Sequence, residues 1–250
     1  IARPRLRGTG DQNRRGTAQQ GMSDMKKPVI AVPMGDPAGI GPEIAVKAAA
    51  LKEVADAASC IFIGDLQMAR QAKSVTGANV KIHVIESADQ AVFEPGIMNL
   101  MDLKNVDPFR FEYGKVSAMC GKAAYEYIAR AIDLAMTGQA DAVATTPINK
   151  ESLRAAHVPF IGHTEIFGTL TGTQDPLTMF ETNGMRVFFL TRHVSLREML
   201  DLITKERIVD YAVRCTDALK RLGVTEGTMA IAGLNPHCAE HGLFGWERSQ

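Results

Sequence analysis

Short runs of β-branched and aliphatic residues alternate along this chain with longer stretches whose apolar positions recur every three to four residues. That alternation of period 2 or continuous apolar runs with period 3.6 predicts strands and helices in turn. Pro28–Met34 is the first strand-like run, and it meets the glycine-rich phrase GDPAGIGPE at Gly35–Glu43. Helical character follows over Ile44–Leu51, with Pro42 suited to a first helical turn. A strand at Cys60–Ile63, a helix at Leu66–Ser74 and a strand at Lys81–Ile85 repeat the unit, whereas Ala88–Glu112 is irregular. Gly114–Gly121 opens a long amphipathic pattern to Met136, in which Ala123, Ala124, Ile128, Ala131, Ile132 and Ala135 share one face. Asp141–Thr145 predicts a buried strand, running through TTPINKES into a helix from Glu151. Arg186–Leu190 predicts another strand ending at Thr191–His193, with helical character again at Ser195–Leu202. Lys205–Leu222 is a helix stopped by Gly223, and Met229–Leu234 is the last predicted strand. The fold class is α/β, a mostly parallel sheet with helices on both faces.

Composition narrows the function classes. At 250 residues and 46% hydrophobic, the chain can bury a sizeable core as one large or two smaller domains. The net charge is zero, but Ile1–Asp24 carries five Arg against two Asp, which leaves Met25–Gln250 at −3 and without a nucleic-acid signature. Residues 1–24 lack apolar periodicity and are expected to be a disordered or artefactual leader, with the α/β body over 25–250. The chain stops at Arg248–Gln250 where a helix is about to begin, and a C-terminal part is expected to be missing. Cys60, Cys120, Cys215 and Cys238 form no CxxC pair and no secretory apolar segment is present, so a reduced cytoplasm is expected. No apolar run approaches the roughly 18 residues of a membrane span.

The chemistry-bearing residues cluster where predicted strands end. Ligands of open α/β sheets bind outside the carboxyl ends of the strands. Four such ends carry polar groups: Gly35–Glu43, Thr145–Lys150, Thr191–His193 and Asn235–His237. They are expected on one sheet edge, with Gly35, Asp36, Gly39, Gly41 and Asn235 lining the cleft. The glycine phrase has the strand-loop-helix context of an anion cradle. It matches neither GxGxxG nor GxxxxGK[ST], and a simple tight turn explains its glycines equally well. His193 and His237 each follow a strand directly, as metal ligands on a rigid stem would, or they are histidines satisfied by backbone. Their spacing excludes a local zinc finger. His163, Thr164 and Glu165 offer an imidazole, a hydroxyl and a carboxylate that could hold a polar or phosphorylated substrate, while Thr164 could also cap the following helix. Lys150 is either a partner for phosphate or carboxylate or a solvated lysine at a helix start. His83 alternates within a strand and is structural; His157 and His241 lie in loops and are not expected to be ligands. A serine hydrolase lacks its GxSxG elbow, and a metal-dependent phosphohydrolase lacks an HD or DxD cluster.

Five ordered phrases, MGDPAGIGPE, ATTPINKE, GHTEIF, TRHVSL and GLNPH, resemble the 4-hydroxythreonine-4-phosphate dehydrogenase family of pyridoxal phosphate biosynthesis over about Lys26–Glu247. The phrases resemble most closely the branch that oxidises four-carbon sugar-acid phosphates such as D-threonate or D-erythronate 4-phosphate. The resemblance implies a two-lobed fold like that of the isocitrate and isopropylmalate dehydrogenases and oxidation of a phosphorylated 3-hydroxy acid by NAD, without a Rossmann fingerprint. It matches His163 and Thr164 to a substrate-binding pair, and His193 and His237 to two of three ligands for a divalent metal, zinc, magnesium or manganese. The third ligand, a His in a YHDQG-like motif, would lie beyond Gln250. The metal would polarise the substrate hydroxyl, and the 3-oxo product would then lose its carboxylate. A homodimer with a shared active site is also implied. The phrase GLNPHCAEHG departs from the family in placing Cys238 and His241 near the metal ligand. With the third ligand missing, poor activity is expected. A truncated, inactive phosphate-binding module of the same fold is the alternative.

Overall fold

The first strand, β1 (Val29–Pro33), is apolar along its length because it is covered from both sides; Ala31 is fully buried, and so is Met34 just beyond it. It belongs to a five-stranded sheet in a computed structural model that describes residues 27–234. Its neighbours are β2 (Ser59–Gly64), β3 (Lys81–Ile85), β4 (Ile97–Asp102) and β5 (Ala142–Val143), in the order β3-β4-β2-β1-β5. Every pairing is parallel; Ala31 lies beside Ile61, and Ile61 beside Asn99.

The connecting helices are α1 (Gly41–Ala50), α2 (Lys52–Ala57), α3 (Leu66–Thr76) and α4 (Ala118–Met136). From β1 the chain steps outward through α1 to β2, then from β4 it returns past β1 to β5. Right-handed crossovers in opposite directions place helices on opposite faces of the sheet, so α1 and α3, which pack together, cover one face and α4 the other.

The 19-residue helix α4 buries two faces. Ala123, Tyr127, Ala131 and Leu134 join the main core of β1, β2 and β4. Ile128 and Ile132 join a second cluster with Leu153 and Ile166, from α5 (Lys150–Ala155) and α6 (His163–Leu170). Through that second cluster, the sheet fixes where α6 begins.

Strand β4 falls within the stretch whose sequence pattern is irregular. Its central Asn99 is buried and returns both amide bonds to Val92, donating to the carbonyl at 3.0 Å and accepting from the N–H at 2.8 Å. A strand that holds a loop in this way carries a polar residue at a core position. The predicted strand Asp141–Thr145 contributes only Ala142 and Val143 to the ladder.

The chain divides at Gln174 and Asp175 into two compact units. The second contains a hairpin, β6 (Met179–Thr182) and β7 (Met185–Phe188), then α7 (Leu196–Leu202) and α8 (Lys205–Arg221). The predicted Arg186–Leu190 strand is therefore corrected in part. It is the second arm of an antiparallel hairpin, paired to β6 and not to the parallel sheet. The reason is the Asn183–Gly184 turn, where both residues have positive φ, +49° and +79°, as a tight turn matched to strand twist requires. Residues 229–234, expected as a strand, form none among the described residues. No described helix is long and apolar enough to cross a membrane. The expected leader over residues 1–24 lies outside the described residues.

Candidate functional site

Strand order reverses between β1 and β5, and that switch point is where an open α/β sheet leaves a crevice. Here the crevice is filled. Gly35, at φ +70°, approaches the β5 edge so closely that a Cβ would lie 2.3 Å from the Pro147 carbonyl oxygen and 2.5 Å from Thr146 Oγ1. A Cβ on Gly41 would lie 2.3 Å from the Met34 carbonyl oxygen. Asp36 N–H donates to the Pro147 carbonyl at 3.1 Å, and Thr146 Oγ1 donates to the Pro33 carbonyl at 3.0 Å. The Asp36 carboxylate is buried, which raises its pKa; an N–H from Ala38 at 2.8 Å and the Ser152 hydroxyl partly offset that. Of the four residues expected to line the cleft in this loop, Gly35, Asp36 and Gly41 form a packed seam and Gly39 faces solvent.

The open chemistry lies one crossover further on. Asn149 caps α5 by accepting from Glu151 N–H at 2.8 Å and Ser152 N–H at 3.1 Å, which sets Lys150 at the helix start. The chain then reaches α6 between two apolar anchors. Phe160 stacks on Tyr125 with ring centroids 5.9 Å apart, and Ile166 is fully buried in the second cluster. His163, Thr164 and Glu165 lie between them. Gly162 occupies the cap position and offers no side chain to the first amides of α6. Thr164, expected as a possible cap, is instead the second residue of the helix, which corrects that reading. A Cβ on Gly162 would lie 3.6 Å from Lys150 Cε and 3.8 Å from Glu165 Oε2, so both side chains border this helix start.

His163 is half-buried, and burial lowers its pKa, which favours the neutral imidazole. Its Nε2 is sealed from solvent and has no hydrogen-bond partner among the described residues. A buried polar atom without a partner is uncommon and calls for one. Helix amides without a cap, a lysine beside them and an unpartnered imidazole nitrogen together make a place for an oxygen-rich anion. Glu165 opposes that charge, and Lys150 is positioned to offset it.

His193, in the second unit, is exposed and sits in the left-handed region at φ +53°. Its neighbour Arg192 is tied down through Nη1 to Thr178 Oγ1 at 2.5 Å and through Nη2 to the Pro176 carbonyl at 2.6 Å. Two residues on, Ser195 and Glu198 form a reciprocal capping box on α7. The imidazole thus stands on a short span held at both ends. His237 and Asn235, together with Cys238 and His241, lie outside the described residues. Among the described residues no three His, Cys, Asp or Glu side chains assemble around one point. What the described residues offer a divalent cation here is therefore the exposed imidazole of His193, a nitrogen donor of the kind borderline metals accept, on a backbone held at both ends.

His83, in β3, bonds to the carbonyl of Gln90 in the following turn at 3.1 Å, and His157 follows α5 in a left-handed turn at φ +55°. The sequence reading gave no role to Asp65 and Asp102, which border an open cavity of about 600 Å³ together with Arg70 and Lys104. The amides there are already used. Gln67 and Met68 donate to Asp65, and Leu66 donates to Asp102. An aspartate placed directly after an apolar strand is the signal that would have marked Asp65 as a helix cap.

Comparison with known proteins adds a family to this geometry. The family described as pyridoxal phosphate biosynthetic protein PdxA matches residues 56–250. A Fusobacterium nucleatum protein named putative D-threonate 4-phosphate dehydrogenase is 58% identical over 218 residues, covering 87% of this chain and 65% of its own length. The chain thus spans just under two thirds of that relative. Among solved structures, a 4-hydroxythreonine-4-phosphate dehydrogenase from Burkholderia phymatum superposes with a TM-score of 0.80 at 35% identity, covering 90% of this chain and 68% of that one. One from Klebsiella pneumoniae gives 0.81 at 37% identity, covering 91% and 69%.

Proposed function

The chain belongs to the pyridoxal phosphate biosynthetic protein PdxA family, and from that premise we propose that it oxidises the C3 hydroxyl of a phosphorylated four-carbon 3-hydroxy acid. D-threonate 4-phosphate is the first substrate to test, because the 58% identical relative carries that name whereas the solved 4-hydroxythreonine-4-phosphate dehydrogenases are 35–38% identical. The two acids share a carboxylate, a C3 hydroxyl and a C4 phosphate, and differ at C2, hydroxyl against amine. Two compact units in one chain support the two-lobed arrangement expected of isocitrate and isopropylmalate dehydrogenases.

The observation that carries the reading is the unpartnered Nε2 of His163 at the uncapped start of α6. An anionic end of the substrate placed there accepts from the first α6 amides and from the Lys150 ammonium. His163, whose neutral form burial favours, meets a substrate oxygen through Nε2, and the Thr164 hydroxyl lies one residue on. The anchors Phe160 and Ile166 keep this helix start from shifting when the ligand binds. His193 and His237 would hold the divalent cation. When bound, zinc, magnesium or manganese would supply Lewis-acid polarisation of the hydroxyl, and NAD a hydride acceptor. Loss of the C3 hydrogen as hydride and of the hydroxyl proton would leave a 3-oxo acid; breaking its C1–C2 bond would release carbon dioxide and leave the electron pair as an enolate that takes up a proton at C2. The Gly35–Glu43 loop is closed by Thr146 and Pro147, so it is not assigned to the nucleotide. A homodimer sharing its active site is part of the proposal.

The test is NADH formation at 340 nm by a version of the chain extended to the full length of its relatives, with D-threonate 4-phosphate, D-erythronate 4-phosphate and 4-hydroxythreonine 4-phosphate, with and without chelator. Turnover that is fastest with D-threonate 4-phosphate and abolished by chelator is expected. Folded protein that reduces no NAD with any of the three would refute the dehydrogenase assignment.

A further inference from the structure

The backbone that carries His193 is held by α8, a helix that itself presents no residue of the proposed site. Arg207, in its first turn, sends both Nε and Nη2 to one acceptor, the Leu190 carbonyl, at 3.1 and 3.0 Å. The same Nη2 donates to Tyr211 Oη at 3.0 Å, and that hydroxyl donates to Asp175 Oδ2 at 2.8 Å. Arg214 closes the cluster from the next turn. It pairs with Asp175 Oδ2 at 3.2 Å and donates to the Asp175 carbonyl. The guanidinium carbons of Arg207 and Arg214 lie 4.7 and 5.1 Å from the Tyr211 ring centroid, and Tyr211 is buried between them.

Leu190 stands three residues before His193, and Asp175 stands one residue before Pro176, whose carbonyl holds Arg192. Both ends of the support for the T-R-H segment therefore return to the same four side chains. Backbone in the left-handed region is costly for a residue with a Cβ and persists where its surroundings over-determine it. His193 has that backbone, on a span with Arg207 behind it and the α7 capping box ahead. The exposed face of a protein offers few reasons for a guanidinium fork to be spent on a single loop carbonyl other than fixing that loop.

The geometry points to Arg207 as a positioning residue, which with Tyr211 and Asp175 presets the backbone from which His193 presents its imidazole to a divalent cation. This rests on the reading of His193 as a metal ligand. Groups that orient a ligand from outside the coordination shell are worth about 10- to 100-fold in metal affinity.

Cobalt(II) alone serves as the probe, titrated into the chain extended to the full length of its relatives and followed by its visible absorption, with thermal melting measured on each variant. His193→Ala is expected to lose the cobalt band. Arg207→Lys keeps the charge but not the fork, and is expected to weaken cobalt binding by about tenfold and to shift the band. Tyr211→Phe keeps the ring between the two guanidinium groups and is expected to give a smaller loss of the same kind; it also supplies the reading should Arg207→Lys fail to fold. A purely structural role would lower the melting temperature and leave cobalt affinity and band position unchanged. Wild-type binding in Arg207→Lys and Tyr211→Phe, with His193→Ala inactive in binding, would overturn the positioning role alone. Cobalt binding unaffected by His193→Ala, or absent from the parent chain, would overturn the metal-ligand reading and this inference with it.

Discussion

The two units hold their candidate residues by opposite means. In the first, the start of α6 is fixed by apolar packing, Phe160 on Tyr125 and Ile166 among Ile128, Ile132 and Leu153, and elsewhere in that unit Gly35, Gly41 and Gly121 lie so close to backbone that no Cβ fits. In the second, Tyr211 and Cys215 are the only buried apolar side chains among that unit's described residues, and the His193 segment is fixed by arginine forks and helix caps. Packing gives a position that cannot yield by a few tenths of an ångström without losing stability. Charge-assisted bonds at a half-exposed surface give a position that depends on the identity of each donor and on salt.

The largest difference should come from adding one methyl group to the packed unit. Gly121→Ala would put a Cβ 2.0 Å from the Ser152 carbonyl oxygen, on the α4–α5 contact. A loss of about 3 kcal/mol in urea-unfolding free energy is expected, with the buried Asp36–Ser152 pair disturbed as well. Removing volume at the other anchor has a similar size. Ile166→Ala should cost about 3 kcal/mol and loosen the start of α6, raising amide exchange at residues 163–165.

Changes to the polar unit should be smaller. Ser195→Ala removes the bond to Glu198 N–H and one half of the capping box, and should cost about 1 kcal/mol, read as earlier melting of α7. Raising the salt concentration should weaken the Asp175–Arg214 contact, whose partners are partly exposed, while leaving the Phe160–Tyr125 stack unchanged. Such a salt dependence, read as local exchange protection, would sharpen the contrast; its absence would weaken it.

The smallest effect is a pH dependence at His163. Burial lowers its folded pKa below the ordinary 6.5. Below 6.5 the unfolded chain therefore binds the proton more readily, so stability falls as pH drops through that window and levels off below the folded value. His163→Gln should flatten the stability profile below the ordinary histidine value of 6.5.

Much of the fold was legible because parallel strands covered on both faces read as unbroken apolar runs, as in Val29–Pro33 and Cys60–Ile63. Strand β4 was not, because Asn99 interrupts its run to serve Val92. The hairpin was misassigned to the main sheet although Asn183–Gly184 is a strong turn signal, since β6 is short and mostly exposed. In the site, the Gly-His-Thr-Glu phrase marked α6 by its chemistry. The bare cap at Gly162 and the unpartnered Nε2 depend on packing between helices that periodicity does not reveal. The Asp175–Tyr211 bond joins residues 36 positions apart, which no local pattern announces.

The central claim is that an anionic end of the substrate seats at the start of α6 against His163. The most direct measurement is a two-dimensional ¹H–¹⁵N spectrum of histidine-labelled protein, recorded with resonances of the His163 ring and of the amides of residues 163–165 assigned, while D-threonate 4-phosphate is titrated in. A saturable shift of His163 Nε2 together with those amides, lost in Lys150→Met, is the predicted result. Binding that moves other resonances and leaves His163 Nε2 and the α6 amides in place would contradict it.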